Sequence, residues 1–324
     1  MPDVKAFWSV APGLGELRPV PVDRAEKNTS GMVTVRALYS GVSRGTESLV
    51  FNGRVPESEY QRMRAPFQEG DYPFPVKYGY ASVGEVVDGP TELIGRPVFC
   101  LYPHQSRYTV PVSAVTLLPD GLPVERAVLA ANMETAINGL WDASPGIGDR
   151  IVVIGLGVVG LLVGWLANQI PGTRVTVIDT NPGREAAAKR LGLDFGVALE
   201  RDDHDVVFHT SGHPSGLETA LAAAGTEGLV IEMSWYGDQP VPVPLGGQFH
   251  SRRLQIRSSQ VGQIPPQRQP RWNHGQRLEL ALSLLRDSSL DALISGESPF
   301  DVMPETMARI LSDGRDTLCH RIVY

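Results

Sequence analysis

The sequence predicts an α/β chain in which a β-rich N-terminal region is followed by a doubly wound parallel sheet. Three observations predict it. Short β-type runs punctuated by Gly and Pro fill the first 120 residues. From residue 124, short apolar runs alternate with helical segments, as buried parallel strands with crossover helices do. Third, a strand–turn–helix unit carries glycines in the order G-x-G-x-x-G, with an acid at the end of the next strand.

Each element follows in order. VKAFWSV, MVTVRALYSGV, ASVGEVVDG, RPVFCLY and SRYTVPV are the strands expected of the first region. Between two of them lies a polar, aromatic loop over 51–77 with four prolines, long enough to suggest function. VERAVLAANMETAINGLWDA starts one residue after Pro123 and has helical apolar spacing. RIVVIG, RVTVID, DFGVAL, DVVFHTSG, GLVIEMSW and LQIRSSQV are then the six strands of the parallel sheet. LLVGWLANQ, GREAAAKRLG and PSGLETALAAAG are helices between them. Beyond the proline-rich QIPPQRQPRWNHGQ come a helix (276–286), a β-like run (290–295) and a second helix (304–312). The domains expected are 1–128, 129–264 and a C-terminal segment 265–324.

Residues 151–167 carry no charge, yet the run is shorter than the 20 or so residues that cross a bilayer. Its glycines give it another use. Gly155 permits a tight turn, Gly157 lets the backbone approach a diphosphate, and Gly160 lets the helix pack on the strand. Leu156, Val158 and Val159 complete the turn, whose amides and helix start favour anions. Asp179 follows Gly160 by 19 residues (179 − 160), the distance expected of the acid that binds the adenosine ribose. Its charge would repel a 2′-phosphate, so NAD is expected over NADP. Arg184 is a further candidate at that ribose, and Thr210, Ser211 and Ser234 are candidates at the ends of later strands.

Composition narrows the partners. With 36 acidic against 29 basic residues the net charge is −7, and no Lys/Arg block exists for nucleic acid or anionic lipid. Two separated cysteines, Cys100 and Cys319, make neither a disulfide framework nor a zinc cluster. MPDVKAFWSV lacks the form of a secretion signal, so a cytoplasmic protein acting on a small molecule is expected, without nucleic-acid or membrane partners.

SGVSRGTE (40–47), YGYASVGEVVDG (78–89), METAINGLWDASPGIGD (133–149) and the glycine fingerprint together resemble the medium-chain dehydrogenases/reductases, best known from zinc alcohol dehydrogenases. The resemblance implies a GroES-like N-terminal domain, a Rossmann domain and a C-terminal return to the first. It also implies a Cys, a His and a Cys or acid as zinc ligands, where this chain has Ser43, Tyr80 and a position on or near Ala131. The four-cysteine structural zinc lobe is missing too. No zinc is therefore expected, and Tyr80 is the first candidate for hydrogen bonding to a substrate oxygen; its alternative is an aromatic filling the metal's space.

Thr46 resembles the family's hydroxyl relay, Thr135 a residue near the nicotinamide, and Glu47 and Glu134 are candidate acids. An ion pair with an Arg is the alternative for Glu47, and a solvated helix face for Glu134. His104 is either a proton carrier or a strand-end cap. Local similarity to the bacteriochlorophyllide dehydrogenases (S-G-[IV]-S-x-G-T-E, then G-Y-x-S-V-G) suggests a secondary alcohol as substrate. Enone or quinone reduction and non-catalytic dinucleotide sensing are the competing functions. LQIRSSQV, at the edge of the sheet, is expected to join two copies in a homodimer.

Overall fold

The computed structural model describes residues 4–20, 31–312 and 315–324. Two compact units are present, one of 1–131, 278–287 and 294–324, the other of 132–277 and 288–293. The first boundary thus follows residue 131, where 128 was expected, and the return to the first unit begins at 278, beyond the polar stretch that suggested 265.

The second unit is a six-stranded parallel sheet. Its order is Asp194–Gly196, Arg174–Ile178, Arg150–Ile154, His204–His209, Ala224–Glu232, Gln255–Ser258. All six expected strands are there. Ile151, Val152 and Val153 are fully buried because helices cover both faces, which is why these strands lack alternation. The strand order reverses beside Arg150–Ile154, and ligands of such sheets bind at that reversal, beyond the strands' carboxyl ends. The charge-free helix Val158–Ala167 is one of the covering helices, with Leu161, Leu162 and Val163 buried in the core. Among the described residues no helix is long and apolar enough to cross a membrane. Gln255–Ser258 forms the sheet's edge and is exposed along its length.

The first unit is antiparallel in the main. The long strand Met32–Val42 pairs with Ser82–Asp88, Arg107–Pro111 and Cys319–Val323. Its inward side chains Val33 and Val35 pack with Val86, Val98 and Tyr108. A smaller sheet joins Lys5–Ala11 to Leu14–Pro19 and Val76–Lys77. The 51–77 segment contains a single 3-10 turn, Glu57–Glu59, and two very short strands. The run at 290–295 divides into a 3-10 turn, Ser288–Leu293, and a strand, Ile294–Pro299. Several elements have no counterpart in the sequence reading, the strands Leu14–Pro19 and Val115–Leu117 among them. The helix Arg44–Phe51 has Gly45 and Thr46, poor helix formers, in its first turn and is too short to show a period. Cys319–Val323 holds His320 and Arg321, yet its register against Gly41 and Val42 buries Cys319, His320 and Ile322.

Candidate functional site

In the second unit the turn after Arg150–Ile154 is built by its glycines. Gly155 has φ +96°, and a side chain there would collide with the Ser211 backbone. A side chain at Gly160 would strike the Gly155 carbonyl. Gly157 differs, with no atom within 4 Å of where its Cβ would stand. Gly157 is exposed at the start of a ten-residue helix, an arrangement that can cradle a phosphate group.

Asp179 closes one side of this turn. Its Oδ2 accepts the Leu156 N–H at 2.6 Å and its Oδ1 accepts the Asn181 N–H at 2.8 Å. The carboxylate is thereby held at the cradle with lone pairs left for a ribose. Thr210 donates its hydroxyl to the Gly155 carbonyl at 2.5 Å, and Ser234 Oγ accepts the Gly212 N–H at 3.1 Å. Arg184 is buried at the end of the turn Pro182–Arg184, and Thr135 lies half-buried in the helix Ala130–Ala143. The glycine turn and its amides fit the diphosphate of a dinucleotide, and Asp179 offers a carboxylate to a ribose.

His209 and Glu232 are functional candidates that sequence reasoning missed. They stand directly opposite each other at the carboxyl ends of adjacent parallel strands. His209 Nδ1 lies 2.7 Å from Glu232 Oε2, and Nε2 lies 2.6 Å from the exposed Ser211 hydroxyl. Two ionisable residues ending apolar strands were the available signal.

In the first unit the helix Arg44–Phe51 and the start of Ser82–Asp88 bring Ser43, Thr46, Glu47 and Tyr80 together. Ser43 and Thr46 lie beside the Tyr80 phenol and act to hold its pKa down. Burial pushes that phenol up to about 12, with the Glu47 charge adding to the rise. Glu47 is 3% exposed, and its partner is a histidine where an arginine was the alternative expected. Its Oε1 accepts the Ser43 N–H at 2.7 Å, and its Oε2 lies 2.9 Å from His104 Nε2. His104 does not merely end a strand, because its Nδ1 is 2.7 Å from Ser40 Oγ, itself 2.9 Å from the Tyr324 hydroxyl.

Glu134 belongs to a separate arrangement, and it is not a solvated helix residue. Its Oε1 accepts from Arg277 Nε at 3.1 Å, with side chains 5% and 3% exposed, and Arg277 also donates to Asn138 Oδ1 at 2.6 Å. Arg64, in the 51–77 segment, is engaged by Asp71 and by the Gln68 and Gly70 carbonyls.

Zinc requires thiolates, imidazoles or carboxylates in a converging set. At the three expected positions this chain offers a hydroxyl, a phenol and a methyl group. Cys100 and Cys319 are buried, and burial pushes both thiols up to about 12, away from thiolate. Among the described residues, no three His, Cys, Asp or Glu side chains are grouped to hold a metal ion. The donor set does not fit zinc.

No family model matches the chain. Among solved structures, galactitol-1-phosphate dehydrogenase from Escherichia coli aligns over 99% of this chain and 100% of its own, with TM-score 0.78 and 17% identity. L-Idonate 5-dehydrogenase from Escherichia coli aligns with TM-score 0.76 and 16% identity over 99% and 98% of the two chains. The fold is that of the medium-chain dehydrogenases. Other structural neighbours include one complexed with NADH and one bound to NADP. In sequence, D-guloside 3-dehydrogenase of Escherichia coli is 26% identical over 308 residues, covering 85% of this chain and 87% of that one. The Rhodobacter capsulatus 2-desacetyl-2-hydroxyethyl bacteriochlorophyllide A dehydrogenase is 28% identical over 224 residues, 64% of this chain and 66% of that protein. A zinc-type alcohol dehydrogenase-like protein of Escherichia coli is 30% identical, but over 43% of each chain. The relatives are dehydrogenases.

Proposed function

We propose that this chain is an NAD(H)-dependent dehydrogenase that interconverts a secondary alcohol and a ketone without zinc. The observation that carries the reading is Asp179, bonded to the Leu156 amide at the mouth of an open glycine turn. A polyhydroxylated substrate is favoured by the relatives, which include a guloside 3-dehydrogenase and sorbitol dehydrogenases. Bound cofactor supplies the hydride for reduction or accepts it in oxidation. The protein's part is to hold the substrate oxygen and move one proton. Tyr80, kept protonated by burial, donates to the carbonyl oxygen, and the Ser43 and Thr46 hydroxyls stabilise the phenolate that results. The exposed edge Gln255–Ser258 supports a homodimer within the same reading.

Fluorescence titration with NADH and NADPH, followed by a panel of secondary alcohols, ketones, enones and quinones, tests the proposal. Tighter NADPH binding with enone or quinone turnover overturns it in favour of a reductase. Clear NADH binding with no turnover anywhere overturns it in favour of a sensor. Two charges 4 Å apart at an effective dielectric of about 20 interact by about 4 kcal/mol. Asp179→Ser is accordingly expected to shift the NADH/NADPH affinity ratio by about 100-fold toward NADPH, allowing for partial screening by solvent. A ratio unchanged in that variant removes Asp179 from cofactor selection. Dialysis against EDTA is expected to leave turnover within about twofold, since no step calls on a Lewis acid. Activity lost to EDTA and restored by Zn²⁺ overturns the metal-free part of the reading.

A further inference from the structure

The strands His204–His209 and Ala224–Glu232 lie on the opposite side of the central strand Arg150–Ile154 from the strand that Asp179 follows. At their carboxyl ends a line of hydrogen bonds runs from inside the sheet to the surface. Glu232 Oε1 accepts the Ser234 N–H at 2.7 Å, and its Oε2 accepts the Tyr236 hydroxyl at 3.0 Å. The same Oε2 is 2.7 Å from Nδ1 of His209, whose side chain is wholly buried. His209 Nε2 then stands 2.6 Å from Oγ of the exposed Ser211. The backbone makes room for that last bond. A Cβ at Gly216 would stand 2.2 Å from Ser211 Oγ and 2.4 Å from His209 Nε2, between the two bonded atoms. Ser211 itself packs on the glycine turn, its Cα 2.4 Å from where a Cβ of Gly155 would be.

The protons along this line fix what Ser211 offers a ligand. An ionised carboxylate only accepts, so the proton of the neutral His209 ring sits on Nδ1 and Nε2 is left as an acceptor. The Ser211 hydroxyl has one hydrogen, which goes to Nε2 at 2.6 Å and not to the His213 carbonyl at 3.4 Å. One Ser211 lone pair takes the His213 N–H at 3.1 Å. What remains is a single lone pair on an exposed residue. Such a group receives a hydroxyl or an N–H and has nothing to donate to a phosphate oxygen.

We propose that Ser211 is the acceptor for a ribose hydroxyl on the nicotinamide half of the cofactor, with His209 and Glu232 the positioning residues that turn its proton inward. The inference rests on the dinucleotide reading above. A dinucleotide lies across the point where the strand order reverses, with its diphosphate at the glycine turn. Asp179 stands on one flank of that turn for the adenosine ribose, which leaves the second ribose to the Ser211 flank. The polarity is consistent along the whole length. An acceptor stands on either side, for sugar hydroxyls, and the amides of the helix start lie between, for phosphate oxygens. A hydroxyl free to rotate would serve either kind of group; one held by His209 serves the sugar alone.

Calorimetric titration of the full chain with ADP and with ADP-ribose, at about pH 8 where imidazole is neutral, tests the proposal. The second ligand adds only a ribose to the diphosphate, and it is expected to bind about tenfold tighter. Ser211→Ala should lower that preference by about 5–10-fold, the worth of one hydrogen bond, and leave ADP binding as it was. His209→Leu frees the Ser211 proton and should lower the preference by about threefold. Because His209 acts through Ser211, the double variant Ser211→Ala/His209→Leu should match Ser211→Ala for both ligands. Nitrogen NMR should place the wild-type His209 proton on Nδ1. A preference untouched by Ser211→Ala, equal losses for the two ligands, or a His209 proton on Nε2 each overturn the proposal. Glu232→Gln, which sets an amide opposite Nδ1, replaces His209→Leu if that variant does not fold and should lower the preference likewise. Binding of neither ligand would sink the dinucleotide reading and this inference with it. Binding of both with an unmoved preference would sink this inference alone.

Discussion

Replacing Tyr80 with Phe is expected to lower the rate of ketone reduction by about 10²–10⁴-fold, the contribution of a positioned proton donor. NADH affinity should be unchanged, because the phenol belongs to the other compact unit from the Asp179 cradle. The two roles open to Tyr80 separate cleanly in this variant. A ring that only fills the space of a metal keeps its shape as Phe, still edge-on to Tyr78 at 5.9 Å, and costs at most a few-fold. A donor loses its only polar atom. The direction of its perturbation also sets the pH dependence. Because burial raises the phenol to about 12, Tyr80 stays protonated across the neutral range and its own titration limits reduction only in strong alkali. Oxidation of an alcohol runs against this and should accelerate with rising pH. Steady-state kinetics in both directions, with NADH binding as the control, decide the matter.

Arg277→Met should destabilise the chain by about 3–5 kcal/mol, the usual result of leaving one member of a buried ion pair behind. Glu134 would keep its carboxylate in an apolar setting, and Asn138 Oδ1 would lose the 2.6 Å bond from Arg277. Burial already raises the Glu134 carboxyl, with Arg277 pulling it back. Without that pull the folded-state value rises further above the unfolded one. The deficit should therefore be smallest in acid, where Glu134 is protonated in both states, and grow as pH rises through the folded value. Glu134→Leu/Arg277→Met should recover most of the loss, since an apolar pair of similar size carries no desolvation cost. Urea denaturation at several pH values measures all three. Equal stability of Arg277→Met and wild type would remove the pair from the structure's support, and a double variant that folds but loses turnover would return Glu134 to the catalytic candidates.

What could be read in the sequence was whatever the chain encodes locally. The strand, glycine turn, helix and Asp179 fall within one βαβ unit, so periodicity and spacing suffice to place them, and all six parallel strands were visible as apolar runs. The helix Arg44–Phe51 was not, since eight residues with Gly and Thr at its start show neither propensity nor period. Glu47 was singled out from its place beside Thr46, but its partner lies 57 residues away on another element, and no local pattern joins Glu47 to His104. Glu134 and Arg277, separated by 143 positions, hid their pairing in the same manner. His209 and Glu232 meet because register sets them opposite, which only the assembled sheet reveals.

Both native thiols sit deep in the first unit, with burial holding them uncharged at neutral pH. Alkylating reagents attack thiolates at accessible positions. A cysteine introduced on the surface would therefore be the one site that takes a maleimide dye or spin label, and the wild-type pair need not be mutated away before labelling.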